Sequence, residues 1–201
     1  MIVKVCGLNS AENCLAIDAL NPTLLGMIFY NKSPRYMAQK SLPETRADKV
    51  GVFVNAKLED ILLAVEKHRL RYVQLHGHES ITLAQGLKQN AVKVIKCFGI
   101  DQELNMDEMR EWQPYCDYFL FDTKGKYLGG NGVKFNWQLL HNYKLDTPFL
   151  LSGGISLTDV KELKKISNPA FAGVDINSRF ELESGVKNVE QVKSFIDGIN
   201  R

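Results

Sequence analysis

The stretch Lys49-Val50-Gly51-Val52-Phe53-Val54, followed by Leu58–Lys67 and then by Tyr72-Val73-Gln74-Leu75, decides the fold. The two flanking runs are too short for helices and almost continuously apolar, as strands buried on both faces should be. Between them, Ile61, Leu62 and Val65 recur at the 3.6-residue spacing of a surface helix with one apolar face. A strand, a helix and a second strand in this order imply parallel pairing, because parallel strands need a crossover connection.

The same alternation continues in both directions. Strands are predicted near Ile2–Cys6, Leu24–Phe29, Val92–Cys97, Tyr118–Phe121, Phe149–Leu151 and Phe171–Asp175, with helical periodicity at Asp159–Lys165 and Val189–Ile199. With the two runs above, this makes eight strands. Doubly wound sheets usually have about five or six, whereas eight strands with eight helices close into a barrel. The reading is therefore one (β/α)8 TIM barrel of the α/β class over residues 1–201, with no linker, low-complexity tract or internal repeat. At 201 residues the chain is short for a fold of roughly 250, which implies minimal connections. The exception is the stretch between Asp122 and Phe149, with Lys124-Gly125-Lys126 and Gly129-Gly130-Asn131-Gly132.

Composition limits the partners. A net charge of +2, with basic residues spread along the chain, argues against nucleic acid and leaves room for a small phosphate or carboxylate. No apolar run approaches the roughly 20 residues of a membrane helix, and Met1–Cys6 lacks the regions of a signal peptide. Cys6, Cys14, Cys97 and Cys116 form no C-x-x-C pair, so reduced thiols and a cytoplasmic location are expected.

In a barrel of this type the site lies at the C-terminal ends of the strands. Those ends offer Cys6, Asn31, Asn55, His76, Cys97, Asp122, Ser152 and Asp175. Cys6 reads either as a small buried hydrophobe or as a general base once its proton is removed. Asp122 follows Phe119-Leu120-Phe121, where a carboxylate needs a partner. It is either a cap or a mate of Lys124 or Lys126, or else one half of an acid–base pair with Cys6. After the seventh strand, Ser152-Gly153-Gly154-Ile155-Ser156 runs into a capping-box pattern from Ser156 to Asp159. After the eighth come Asp175, Asn177, Ser178 and Arg179. Two donor-rich turns on neighbouring strands suit a phosphate group.

Arg35, stiffened by Pro34, belongs either to a solvated loop or to a fork for a carboxylate. Around His76-Gly77-His78 no set of acidic or cysteine partners clusters in sequence, so structural hydrogen bonding is expected there rather than a metal.

Taken in order, Lys4-Val5-Cys6-Gly7, Phe29–Tyr36, Val50–Asn55, Val73–Gly77, Phe121-Asp122-Thr123, Gly129–Gly132, Leu151–Ile155 and Gly173-Val174-Asp175 closely resemble the phosphoribosylanthranilate isomerases of tryptophan biosynthesis. The resemblance implies an Amadori rearrangement without cofactor or metal, on a phosphorylated small-molecule substrate, by a monomer or homodimer. It makes Cys6 the base, Asp122 the acid and Arg35 the partner of the anthranilate carboxylate. Gly153, Gly154, Asn177 and Ser178 become the phosphate holders, with Asp175 beside them.

The chain departs from the family at Arg179, usually Gly, at Asn188, usually Asp, and at Asn131 and Asn136. The first of these touches the phosphate loop. The histidine-pathway isomerase of the same fold is the near rival, but it carries an aspartate at the end of strand one and two fused half-barrels. A catalytically silent barrel would lack Cys6 or Asp122, and both are present.

Overall fold

The computed structural model describes residues 1–37, 43–124 and 134–201. Eight parallel strands close a barrel in sequence order: β1 (Ile2–Val5), β2 (Leu24–Ile28), β3 (Asp48–Phe53), β4 (Tyr72–Leu75), β5 (Lys93–Ile100), β6 (Tyr118–Thr123), β7 (Phe149–Leu151) and β8 (Phe171–Ile176). β1 closes the ring on β8 with Ile2, Lys4 and Val5 opposite Gly173, Asp175 and Ile176. A short antiparallel ribbon of β9 (Glu181–Glu183) and β10 (Val186–Lys187) follows the ring.

The described residues contain α1 (Ala11–Asp18), α2 (Leu58–His68), α3 (Ile81–Gln89), α4 (Met106–Trp112), α5 (Val160–Leu163) and α6 (Val189–Asn200). Local chemistry sets several of their ends. Ser10, Ser80, Asn105 and Asn188 each accept a backbone N–H as N-caps. Arg69, left-handed at φ 53°, stops α2.

The expectation of eight full helices needs correction. No helix follows β2 among the described residues, the turn after β6 is the 3₁₀ segment Trp137–Asn142, and β7 leads to a 3₁₀ turn and the four-residue α5. Tyr143 explains the first short turn after β6. Its ring packs on Phe121 at 5.3 Å and Phe149 at 5.1 Å, and its hydroxyl donates to the Thr147 carbonyl. The chain is thereby pulled back onto the barrel before the segment can lengthen into an α-helix. The expected Gly129–Gly132 segment and Lys126 lie outside the described residues.

Two apolar layers hold the ring. Leu24, Val50, Tyr72, Ile95, Leu120 and Leu150 fill the interior, while a larger shell packs between strands and helices. Above the interior layer lies a polar tier that includes Lys4 and Gln74, both buried.

β8 reaches that tier through an irregularity. Phe149 pairs with Phe171 but Leu150 pairs with Gly173, so one residue is extra. Ala172 then faces the interior cluster, Val174 faces the outer shell, and Asp175 points inward to Lys4. Without the slip, strict alternation would turn Asp175 outward. Only glycine fits at the crossing, because a Cβ on Gly173 would lie 2.1 Å from the Ile2 carbonyl oxygen.

Candidate active site

Cys6 follows β1 at the C-terminal rim, and its N–H donates to the Ile176 carbonyl at 2.9 Å. Two glycines make room around it. A Cβ on Gly26 would come within 2.7 Å of the Cys6 sulfur, and one on Gly7 (φ +78°) would strike Asn177 and Arg35. Beneath the thiol, Lys4 Nζ donates to Asp175 Oδ2 at 2.9 Å, both groups being buried. Burial pushes the Cys6 thiol up, and the Lys4 ammonium opposes that shift. Burial also acts against the charge on Lys4, but the Asp175 carboxylate overrides it and holds the ammonium charged.

Asp122 lies on β6. Its Oδ1 accepts the Thr123 N–H at 2.8 Å, and its Oδ2 faces His76 Nε2 at 3.8 Å. Burial, reinforced by the nearby Asp175, raises its pKa to about 6. The His76 imidazole goes the other way, to about 4, through burial and then the Lys4 charge. The ring is therefore neutral near pH 7, with Nδ1 2.9 Å from the Gln74 amide.

β6 is separated from β1 by β7 and β8. The two glycine- and hydroxyl-bearing turns therefore occupy the arc between Asp122 and Cys6. Gly153 (φ +90°) and Gly154 (φ +66°) follow β7. A Cβ on Gly153 would meet the Thr123 hydroxyl and, at 3.0 Å, Asp122 Oδ1, so its backbone lies directly against the Asp122 carboxyl. The predicted capping box is present: Asp159 Oδ2 accepts from the Ser156 N–H at 2.7 Å and its hydroxyl at 2.9 Å. After β8, Asn177 leads into the 3₁₀ turn Ser178–Phe180.

Arg35 does not hang in solvent. Its Nε and Nη2 fork onto both oxygens of Glu181, at 2.8 and 2.6 Å, across 146 residues of sequence. Glu181 also accepts from Lys187 Nζ at 2.6 Å, and Lys187 donates on to Asn177 Oδ1 at 2.7 Å. One carboxylate thus ties the loop after β2 to the turn after β8. Glu181 carried no local signal for Arg35, which lies 146 residues away, whereas Lys187 is its cross-strand neighbour in the β9–β10 ribbon. Lys4 did carry one: a lysine inside an apolar strand, with Asp175 inside another.

Seven of the eight predicted site residues lie on this rim, and Asp175 lies one tier below it against Lys4. The structure also adds what adjacency in sequence hides. Cys97 and Asp122, from β5 and β6, come to His76, with ligand-capable atoms mutually within 4.8 Å. These three side chains line one wall of a groove of about 1170 Å³ that runs outward past Lys96 to Trp112. Lys96 is held by Glu79 at 2.9 Å and by the Gly77 carbonyl at 2.7 Å. No helix of the described residues is long and apolar enough to cross a membrane.

Residues 3–198 match the family described as N-(5'-phosphoribosyl)anthranilate (PRA) isomerase. An N-(5'-phosphoribosyl)anthranilate isomerase of Parabacteroides distasonis is 39% identical, covering 99% of this chain and 93% of that protein. Among solved structures, the phosphoribosyl anthranilate isomerase of Thermotoga maritima superposes with a TM-score of 0.82 at 30% identity, covering 100% and 99% of the two chains. Another phosphoribosyl anthranilate isomerase, solved in complex with reduced 1-(o-carboxyphenylamino)-1-deoxyribulose 5-phosphate, has a TM-score of 0.79 at 29% identity, with 100% and 99% covered. The chain belongs to the N-(5'-phosphoribosyl)anthranilate isomerase family.

Proposed function

We propose that the isomerase reaction of this chain runs by general acid–base catalysis between Asp122 and Cys6, on a substrate held by the rim turns between them. The observation that carries this reading is the placement of Gly153, Gly154, Asn177 and Ser178 on the arc separating the two groups. A phosphate held there leaves the attached sugar flanked by an acid on one side and a base on the other. Protonated Asp122 donates to the furanose ring oxygen, and the C1′–O bond breaks to give the Schiff base. The Cys6 thiolate then takes the proton from C2′; the C2′–H pair forms the C1′=C2′ double bond, the C1′=N pair moves onto the nitrogen of the protonated Schiff base, and the resulting enolamine tautomerises to the ketone. Each assisted transfer contributes roughly 10²–10⁴-fold.

Environment supports these roles. With a pKa of about 6, Asp122 is protonated in about one molecule in ten at pH 7, against about one in a thousand at an ordinary aspartate value. Lys4, held in place by Asp175, favours the Cys6 thiolate against its burial. Arg35, fixed by Glu181 through Nε and Nη2, keeps its Nη1 donors for the anthranilate carboxylate.

The reaction as written needs no cofactor or metal. Residues 1–201 act as one barrel domain in the cytoplasm, as a monomer or homodimer, because one chain supplies every group named. Loss of substrate fluorescence tests the reading: N-(5'-phosphoribosyl)anthranilate mixed with enzyme should lose its anthranilate emission as product forms. A stable signal at micromolar enzyme would leave a silent barrel.

A further inference from the structure

We infer that His76, Cys97 and Asp122 form a site for one divalent cation of the zinc class, and that filling it switches the isomerase off. The first part stands on geometry alone; the second rests on the reading of Asp122 as the acid.

The three residues come from adjacent strands and the loop after β4, and each offers one ligand atom: an imidazole nitrogen, a sulfur and a carboxylate oxygen. Tetrahedral zinc, with bonds of about 2.0–2.3 Å, needs ligand atoms about 3.3–3.6 Å apart. His76 Nε2 and Asp122 Oδ2 are already at 3.8 Å, and the whole set lies within 4.8 Å. Closure therefore asks for side-chain shifts of about 1 Å and no movement of the barrel. A donor set of nitrogen, sulfur and oxygen selects zinc over magnesium or calcium, which prefer oxygen alone.

The groups behind the ligands point the same way. Asp122 Oδ1 is held by the Thr123 N–H, which leaves Oδ2 free to bind. His76 Nδ1 rests against the Gln74 amide, and Gln74 is 1% exposed with its Oε1 lacking a hydrogen-bond partner. A histidine bound through Nε2 carries its proton on Nδ1 and needs an acceptor there. Half a turn of the Gln74 amide brings that oxygen to it.

All three side chains line the groove, so an ion can enter and its fourth position opens to solvent. The neighbouring cations do not oppose it strongly. Lys96 is paired with Glu79 and Lys4 with Asp175. On binding, the Cys97 S–H bond breaks, its proton passes to buffer and a metal–sulfur bond forms. Two negative ligands then balance the divalent charge. The ion occupies the Asp122 oxygen that would carry the proton to the sugar, so turnover stops.

Cobalt(II) chloride, added to chelator-stripped enzyme, reads the site without reference to activity. The expected result is one equivalent bound per chain, a thiolate-to-cobalt charge-transfer band, and its loss on adding zinc. The Cys97→Ala variant should keep wild-type kcat and KM, lose the band, and resist zinc inhibition by more than ~10²-fold, beyond what loss of an outer-shell partner costs. Wild-type inhibition by zinc should reverse with EDTA.

An unmodified chain offers a second reading by mass spectrometry: zinc should shield Cys97 from iodoacetamide. No cobalt band, or a band that survives in Cys97→Ala and vanishes in Cys6→Ser, overturns the site. Zinc inhibition unchanged in Cys97→Ala overturns it too. A band in an enzyme with no isomerase activity overturns only the proposed function.

Discussion

Glu181→Gln is the sharpest test of how this rim is held together. The carboxylate accepts from Arg35 at 2.8 and 2.6 Å, from Lys187 Nζ at 2.6 Å and from the Gly185 N–H at 3.1 Å. Its side chain is 6% exposed, and the cations it serves are 15% and 0% exposed. Glutamine keeps the shape, so no cavity forms. It puts a donor NH2 in place of one acceptor oxygen and removes the negative charge that Arg35 and Lys187 share. Breaking a buried pair by deleting one partner costs about 3–5 kcal/mol. The expected loss is about 3–4 kcal/mol, read as a fall of roughly 1–3 M in the urea midpoint at unchanged slope.

Burial acts to raise the Glu181 pKa, but Arg35 and Lys187 hold it below its ordinary 4.5. A carboxyl lowered on folding stabilises above its unfolded pKa and loses that contribution as pH falls through the folded value. Wild type and variant should therefore differ fully above pH 4.5 and draw together as pH falls below it through the lowered folded value. Activity should show a raised KM with kcat less affected, because Arg35 is no longer aimed. A stability change within about 0.5 kcal/mol across this range would reduce the network to an ordinary surface pair and refute the argument.

Further outcomes follow from the same geometry. Cys6→Ser and Asp122→Asn should each lower kcat by at least ~10²-fold in steady-state assays, with KM moving much less. Asp122→Asn should also stabilise the chelator-treated fold near pH 7.5 by roughly 2–3 kcal/mol, with the gain vanishing below about pH 3. The folded pKa of about 6 lies above the ordinary 3.8, so the wild type loses stability as pH rises between the two. Arg35→Lys should raise KM in steady-state assays and lower the melting temperature, since it loses the Glu181 fork as well as the substrate's. Gly173→Ala should cost roughly 1–3 kcal/mol or more in denaturant titration, and abolish turnover. Its Cβ collides with the Ile2 carbonyl, and relief of that clash disturbs the pairing that points Asp175 inward.

The sequence carried the barrel well where burial on both faces leaves a continuous apolar run. Tyr72–Leu75 and Phe149–Leu151 were readable to the residue. β5 runs on to Ile100, past the predicted end at Cys97, because Phe98, Gly99 and Ile100 pair with Phe121, Asp122 and Thr123. That extension depends on a neighbour 23 residues away and has no local mark. The extra residue in β8 is likewise silent in a string of Phe, Ala, Gly and Val. Rim residues were legible because strand ends fix them, whereas the Arg35–Glu181 fork and the gathering at His76 arise only when segments far apart in sequence become neighbours. Arg35 showed the limit most directly: the loop chemistry around Pro34 gave no hint of a carboxylate 146 positions away.

The closure of β1 on β8 has a consequence in time. Lys4 must wait for Asp175, 171 residues later, before its ammonium has a mate. At roughly 5–20 residues per second, translation separates the two by about 10–35 s. Throughout that interval one side of β1 is an open ladder of N–H and C=O groups, the kind of edge that other nascent chains can extend. A ribosomal pause placed between β7 and β8 would therefore prolong the hazard without altering a single residue, and a pause after β8 has emerged would not.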